Sequence, residues 1–341
     1  MITRRSVLGA AAAAMTVPAI ASARADDGQV VVSTWGGDYA DLLAANVEKP
    51  LLAPKGIEVI HDINSSDARK TKLIAEKMSR HGSMDVVHLS DTDMFQMAKI
   101  GVFEDVPPAS VPNLAEVLKP LRMPYAIPHI FSAQLLVYNP DKVDQPKSFT
   151  DFLDPKYMGR VGIPDLNYSV IVMGMALAAG GSMSNWEPAK KMLMDLKKNQ
   201  PRLYPSHEDL VQGLKSGEIW LAPEWLAREF MWKKSGVNLA RVVPTEGAIP
   251  VIFQAAVPKN AQNKANGWAY LNAMLNAKAQ LGFADHMGYG PTVTDATLPI
   301  SLEQGIGFTP AEEAKFKTPD YEYQAAQLPA ILDFWNKDFK G

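Results

Sequence analysis

The 341-residue chain contains no cysteine. Disulfides, thiolate metal sites and cysteine nucleophiles are therefore excluded. It has no basic excess either: 34 Lys and Arg stand against 37 Asp and Glu, a net charge of −3. That removes the electrostatic footprint of a nucleic-acid partner. Beyond the first 25 residues no stretch reaches 18 apolar residues. The longest candidate, 170–179, has the length of a buried helix. A Gly-x-x-x-x-Gly-Lys-Ser/Thr phosphate loop, a Gly-x-Gly-x-x-Gly fingerprint and a Gly-x-Ser-x-Gly elbow are all missing. The six histidines, at 61, 81, 88, 129, 207 and 286, form no His-x-x-x-His pair, which argues against zinc. No cofactor or metal is expected, and nothing in the pattern points to catalysis.

What remains is 47% hydrophobic and 21% charged, with 25 Pro and 23 Gly, the profile of a soluble globular protein with many short connections. At this length two lobes are expected. Residues 1–25 read as an export signal: Arg4 and Arg5 lead, an Ala-rich apolar stretch follows, and two overlapping small-x-small cleavage sites span 21–25. Thr3-Arg4-Arg5-Ser6-Val7-Leu8 is also similar to a twin-arginine signal, without its usual Phe and Lys. Removing the signal takes away Arg4, Arg5 and Arg24 and moves the net charge to −6. With no lipobox cysteine, the expected location is the periplasm of a Gram-negative cell.

The mature chain alternates β and α patterns. Strands are expected at 29–34, 57–61 and 84–89, separated by helices at 39–47, 67–80 and 92–100. That order predicts a largely parallel sheet covered on both faces. A second α/β series starts near Val161, with helices at 169–179, 186–198 and 208–216 and strands at 219–222 and 249–257. The last third is mainly helical, at 263–276, 278–287 and 324–339. No repeat or flexible tether separates the series.

Three blocks resemble the spermidine/putrescine-binding type of bacterial ABC-transporter solute-binding protein. They are Val31-Val32-Ser33-Thr34-Trp35-Gly36-Gly37-Asp38-Tyr39; Asp85-Val86-Val87-His88-Leu89-Ser90 with the following 97–103; and Val242-Val243-Pro244-Thr245-Glu246-Gly247-Ala248 with 256–261. Smaller matches fall at 127–128, 137–141 and 288–292. The resemblance implies a two-lobe α/β periplasmic-binding-protein fold, type II-like, with the ligand in a cleft between lobes joined by crossover strands. Lobe 1 would comprise 28–133 plus 256–300, and lobe 2 would comprise 134–255 plus 301–341. The implied function is non-enzymatic: a monomer captures a small solute by hinge closure and delivers it to the transmembrane subunits of an ABC permease. A periplasmic α/β enzyme and an iron(III)-binding relative are the rival readings. The second would need clustered Tyr, His or carboxylates, and Tyr168 and Tyr289 each lack a neighbouring Tyr.

Candidate ligand contacts start at Trp35, just past a strand's carboxyl end, where open α/β sheets place ligands. It either stacks on the solute or sits in the core, and Gly36-Gly37 favours an exposed loop. The two glycines allow close backbone approach, and their N–H groups precede a helix, a place for a carboxylate or phosphonate. Asp38 fits a helix N-cap with an acid three residues on. Tyr39 reaches the cleft or packs on its helix. Ser90 either caps the next helix or donates to the ligand, and Asp91 raises the same choice. The resemblance adds Asp165, Asn167 and Tyr168 from the segment that lines the family's cleft. It also adds Trp225 at an aromatic binding position, although Phe230 and Trp232 crowd the same segment. Arg228 is a candidate carboxylate clamp or a solvated charge. Phe131 and Ser132 lie near the first crossover, Phe253 and Gln254 near the second, and Tyr289 in a turn that would close the cleft floor. The chain departs from the polyamine pattern at Val251 and Phe253, where that family carries a Trp and an Asp. A buried ammonium without a carboxylate is costly. An organic acid, amino acid derivative or aminophosphonate is therefore the expected solute, with a polyamine as the alternative.

Overall fold

The computed structural model describes residues 28–341. The expected export signal, with Arg4, Arg5 and the small-x-small sites, lies outside the described residues.

The apolar run Gln29–Thr34 forms β1, and Asp38–Leu43 forms α1. Helical turns continue to Leu52 with wider, π-type spacing around Pro50, which has no N–H to donate. Glu58–Ile63 is β2, Ser66–Glu76 is α2, Val86–Ser90 is β3 and Asp91–Lys99 is α3. Ser65 caps α2 by accepting from the Ala68 N–H. The twelve-residue strand β4, Ile127–Tyr138, has no counterpart among the expected strands; Pro128, Ser132 and Gln134 break its apolar alternation. Next come β5 (Gly162–Pro164), α4 (Tyr168–Ala178), α5 (Glu187–Lys198), β6 (Arg202–Tyr204) and α6 (His207–Ser216). Then follow β7 (Leu221–Trp225), α7 (Leu226–Lys234), β8 (Ala240–Val242) and β9 (Ile249–Ala256). The chain ends with α8 (Lys264–Met274), α9 (Ala277–Met287), β10 (Gly290–Pro291), α10 (Ile300–Ile306), α11 (Pro310–Glu313) and α12 (Tyr321–Phe334).

The main sheet runs β10-β4-β9-β3-β1-β2, with β7 and β8 also on β4. In this sheet β1 with β2 and β1 with β3 pair in parallel, whereas β3 with β9, and β4 with β7, β8, β9 and β10, are antiparallel; β5 and β6 form a separate parallel pair. The parallel pairing expected of the first three strands is found, while the antiparallel pairs all involve β4 or β9, so the sheet as a whole is mixed. The chain leaves the first α/β unit along β4 and returns along β9, and these two crossovers run in opposite directions. Residues 127–134 of β4 pair with β9, and residues 134–138 pair with β7, so one continuous strand serves both lobes.

Apolar residues segregate around this pair. One cluster gathers Val30, Val32, Val86, Ile127, Ala255 and Leu271; another gathers Leu136, Phe149, Ile171, Leu193, Leu221 and Trp335. Helix α4 is apolar nearly all round and is buried, as its sequence predicts. The carboxyl ends of β1 and β3 and the start of α4 open onto a cleft between the lobes.

Candidate functional site

Two connected cavities, of ≈ 410 and ≈ 550 Å³, share four lining residues: Trp35, Leu166, Trp225 and Phe253. These four form an apolar waist. Trp35 follows β1, Trp225 ends β7, and Phe253 lies on the crossover strand β9. The ring of Phe253 sits 4.9 Å from Trp35 and 6.2 Å from Trp225. The smaller cavity adds Ser66, Asp67, Lys70, Ser90, Asp91 and Asp93 from one side, and Asn167, Tyr168, Ser169 and Gln324 from the other. The larger adds Gly36, Gly37, Asp38, Tyr39, His207, Glu208, Arg228 and Tyr289.

Three donors in these walls are buried and have no hydrogen-bond partner among the described residues: Asn167 Nδ2, Trp225 Nε1 and Arg228 Nε. A buried donor left unpaired costs about 1–3 kcal/mol, so such groups are normally satisfied. Apart from Asp38, the carboxylates of the cleft are already engaged. Asp67 and Asp93 hold Lys70 at 3.0 and 2.7 Å. Glu208 lies 3.3 Å from Arg228, and Asp38 lies 3.8 Å from His286. Asp91 accepts the Tyr321 hydroxyl at 2.8 Å, and burial raises its pKa to about 6. Burial opposes the Lys70 charge, but its bonds to Asp93 and Asp67 outweigh that and hold it above the ordinary lysine value.

Several sequence readings are settled by position. Gly37, at φ 62°, occupies the N-cap of α1, so Asp38 is the first helical residue and does not cap. Gly36 and Gly37 line the larger cavity, but the helix they precede has six residues and little dipole behind it. Tyr39 lines the same cavity with its hydroxyl held 2.9 Å from His129 Nδ1, and burial pushes its pKa up. Ser90 stands at the N-cap of α3 without a side-chain capping bond, and faces the smaller cavity. Tyr289 is buried at the floor of the larger cavity, its pKa pushed up by burial to about 12.

Four candidates do not line either cavity. The Phe131 ring packs over Gly290, where an added Cβ would come within 2.6 Å of it. Ser132 Oγ accepts from the Ala227 N–H at 3.1 Å and ties the start of α7 to β4. Gln254 is buried next to Phe253 on β9, and side chains alternate between faces, so Val251 and Phe253 meet the cleft and Gln254 does not. Asp165 turns away to accept from Trp335 Nε1 at 2.6 Å and Lys340 Nζ at 2.7 Å.

Sequence reading missed Ser66, Asp67 and Lys70. They open α2 at the carboxyl end of β2, the same sheet edge that placed Trp35, and that rule carried one loop further would have reached them. It also missed His207, whose Nδ1 lies 2.7 Å from the buried Glu224 beneath Trp225; only tertiary contact brings these together.

The model of the bacterial extracellular solute-binding proteins matches residues 49–310. The chain is 26% identical over 298 residues to the spermidine/putrescine-binding periplasmic protein of Escherichia coli K12, covering 84% of this chain and 83% of that one. In structure it is similar to an ABC transporter protein of Clostridium perfringens, with TM-score 0.78 and 23% identity over 90% of this chain and 99% of that one. It is also similar to AgtB of Agrobacterium tumefaciens R10 solved with agropinic acid, with TM-score 0.73 and 21% identity over 92% and 99%. The expected two-lobe α/β fold and the reading as a transport protein, not an enzyme, are both borne out by these comparisons.

Proposed function

The chain belongs to the bacterial extracellular solute-binding proteins, which capture a small solute for an ABC transporter, and from that membership we propose that its solute carries an anionic group. The observation that carries this reading is the set of unpartnered donors, Asn167 Nδ2, Trp225 Nε1 and Arg228 Nε, in a cleft whose carboxylates, the exposed Asp38 apart, are engaged. Acceptor oxygens of a carboxylate or phosphonate would satisfy those donors, and charge assistance from Arg228 would strengthen the bond. An ammonium group would meet only one weakly engaged carboxylate, the exposed Asp38, 3.8 Å from His286. The solute classes that fit are an organic acid, an amino acid derivative or an aminophosphonate, with its apolar part against Trp35, Trp225 and Phe253. Agropinic acid in AgtB is a precedent for an acid ligand on this fold. The polyamine binders among the relatives motivate the alternative.

In this reading the protein works in the periplasm as a monomer, freed of residues 1–25, and docks on the permease after closure. Lobe 1 comprises 28–133 plus 256–300 and lobe 2 comprises 134–255 plus 301–341, a division supported by the two apolar clusters on either side of β4 and β9. The deciding experiment is calorimetric titration with glutarate, 4-aminobutyrate, 2-aminoethylphosphonate, putrescine and spermidine. Heat from at least one acid, and none from spermidine, is expected. Tight spermidine binding with no response to any acid would overturn the reading.

A further inference from the structure

Arg69, on α2, is fully buried. Its guanidinium carbon lies 4.4 Å from the centroid of the Trp35 ring. Nη1 donates to the Asn64 carbonyl and Nη2 donates to Ser66 Oγ at 3.1 Å. The same Ser66 oxygen accepts from Trp35 Nε1 at 3.2 Å, so one hydroxyl fixes both the cation and the ring. Arg69 Nε has no partner among the described residues, and no carboxylate there forms an ion pair with it. The acids nearby are engaged elsewhere: Asp62 with Lys72 at 3.0 Å and Ser33 at 2.9 Å, and Asp93 with Lys70. Burial draws the Arg69 pKa down to about 10, which leaves it charged at neutral pH.

A buried cation without its own carboxylate is expensive, and here the indole face provides the compensating charge density. That has a consequence for the cleft, because Trp35 lines both cavities. A ring that already carries a cation on one face has less to offer a second. Two positive charges on either side of one indole also lie within about 8 Å, inside the screening length at physiological salt. A carboxylate near the same ring gains from the same field.

We propose that Arg69 is a specificity-determining residue that acts through Trp35: it sets the sign of charge accepted at the waist, disfavouring ammonium groups and favouring anionic ones. The proposal deepens the reading of an anionic solute and rests on it for the favoured partner, while its effect on cations stands separately.

The test compares the whole protein with Arg69→Lys, Arg69→Gln and Arg69→Met, using putrescine and glutarate as calorimetric probes at low salt. Arg69→Lys keeps the charge and should stay near the parent. Arg69→Gln and Arg69→Met should bind putrescine on the order of 10-fold more tightly relative to glutarate than the parent does. A merely structural role predicts lower melting temperatures with that ratio unchanged, or the same change in Lys and Met variants; either result overturns the proposal. If Arg69→Met does not fold, Arg69→Gln carries the comparison. A readout without ligand covers the case in which neither probe binds: quenching of the Trp35 fluorescence, taken as the difference from Trp35→Phe in each background. Loss of the charge should weaken quenching by iodide and strengthen quenching by caesium, and equal quenching in parent and Gln variant overturns it. Binding of putrescine alone by the parent would sink the anionic-solute reading, yet a still tighter putrescine complex in Arg69→Gln would uphold the role of Arg69.

Discussion

Tyr321 Oη and Asp91 Oδ2 are 2.8 Å apart, joining the first turn of α12 to the first turn of α3 across the cleft. The Phe95 ring stacks on Tyr321 at 5.7 Å, and Lys99 pairs with Glu322 one turn further on. Helix α12 also supplies Gln324 and Leu328 to the smaller cavity. The carboxy-terminal helix therefore clasps lobe 1 beside the site. Tyr321→Phe keeps the stack and removes only the hydroxyl, leaving a buried carboxylate short of a donor. It should lower stability by about 1–3 kcal/mol, read as an earlier urea midpoint at neutral pH. An unchanged midpoint would show that the bond contributes nothing to closure or folding.

Asp91 makes that stability depend on pH. Burial raises its pKa to about 6, against an ordinary value of 3.8, so the folded protein takes up a proton that the unfolded chain releases. The stabilisation is fully present below pH 3.8 and is lost as pH rises through about 6. The span corresponds to about 3 kcal/mol. Subtracting the profile of Asp91→Asn isolates this group from other carboxylates. Relative to the variant, the parent should lose stability between pH 4 and 6.5 in urea titrations; parallel profiles would contradict it.

Most of the fold was legible because its signals are local. The Val-rich run of β1 and the apolar surface of α4 each announce themselves within a few residues. Strand β4 was not legible, because two of its buried polar residues find their partners only in distant elements: Ser132 accepts from the Ala227 amide, and His129 Nδ1 meets the Tyr39 hydroxyl. The site followed the same division. Trp35 could be placed at the cleft from its position after a strand, whereas Lys70 and His207 reach the cleft wall, and Arg69 reaches Trp35, through contacts with distant segments. Asp165 was misplaced for the converse reason, since its partners Trp335 and Lys340 come from the far end of the chain.

Trp225 and Arg228 offer a direct test of the cleft chemistry. Trp225→Phe keeps an aromatic ring at the waist and deletes the unpartnered Nε1. If the solute accepts from that nitrogen, affinity for the best acid ligand should fall about 10-fold, near 1.4 kcal/mol. Arg228→Met removes a charge-assisted bond and should cost about 1.5–3 kcal/mol of binding energy. Calorimetry on both variants decides; full affinity in both would assign the pair to packing alone.

Gly37 holds φ at 62° at the start of α1, and an added Cβ there would meet nothing within 4 Å. With ψ at −147°, the cost of Gly37→Ala is therefore backbone strain without a steric clash, about 1–3 kcal/mol. Gly37→Asn should cost as much, because ψ of −147° puts this residue outside the left-handed helical region that Asn tolerates, in one that is essentially glycine's alone. Thermal unfolding of the three proteins should place both variants below the parent by similar amounts; an Ala variant as stable as the parent would mean that the loop relaxes out of this conformation.

Ser132 separates structural from binding roles among neighbours in sequence. Its hydroxyl is committed to the Ala227 N–H at 3.1 Å, and Ala227 belongs to the same helix as Arg228. Ser132→Ala would leave that amide buried and unpaired, at a cost of about 1–3 kcal/mol in stability. Ser132 itself does not line the cleft, so the affinity of the folded protein should change by less than about threefold. Val251→Ala should do the opposite, because Val251 lies on the cleft wall opposite Ser132 in the β4–β9 register. Its truncation opens space for solute and costs modestly in the core, so affinity should move more than the melting temperature. A Ser132→Ala protein that melts like the parent but binds poorly would return the hydroxyl to the ligand site, and with it the part of strand β4 that the register sets beside Val251.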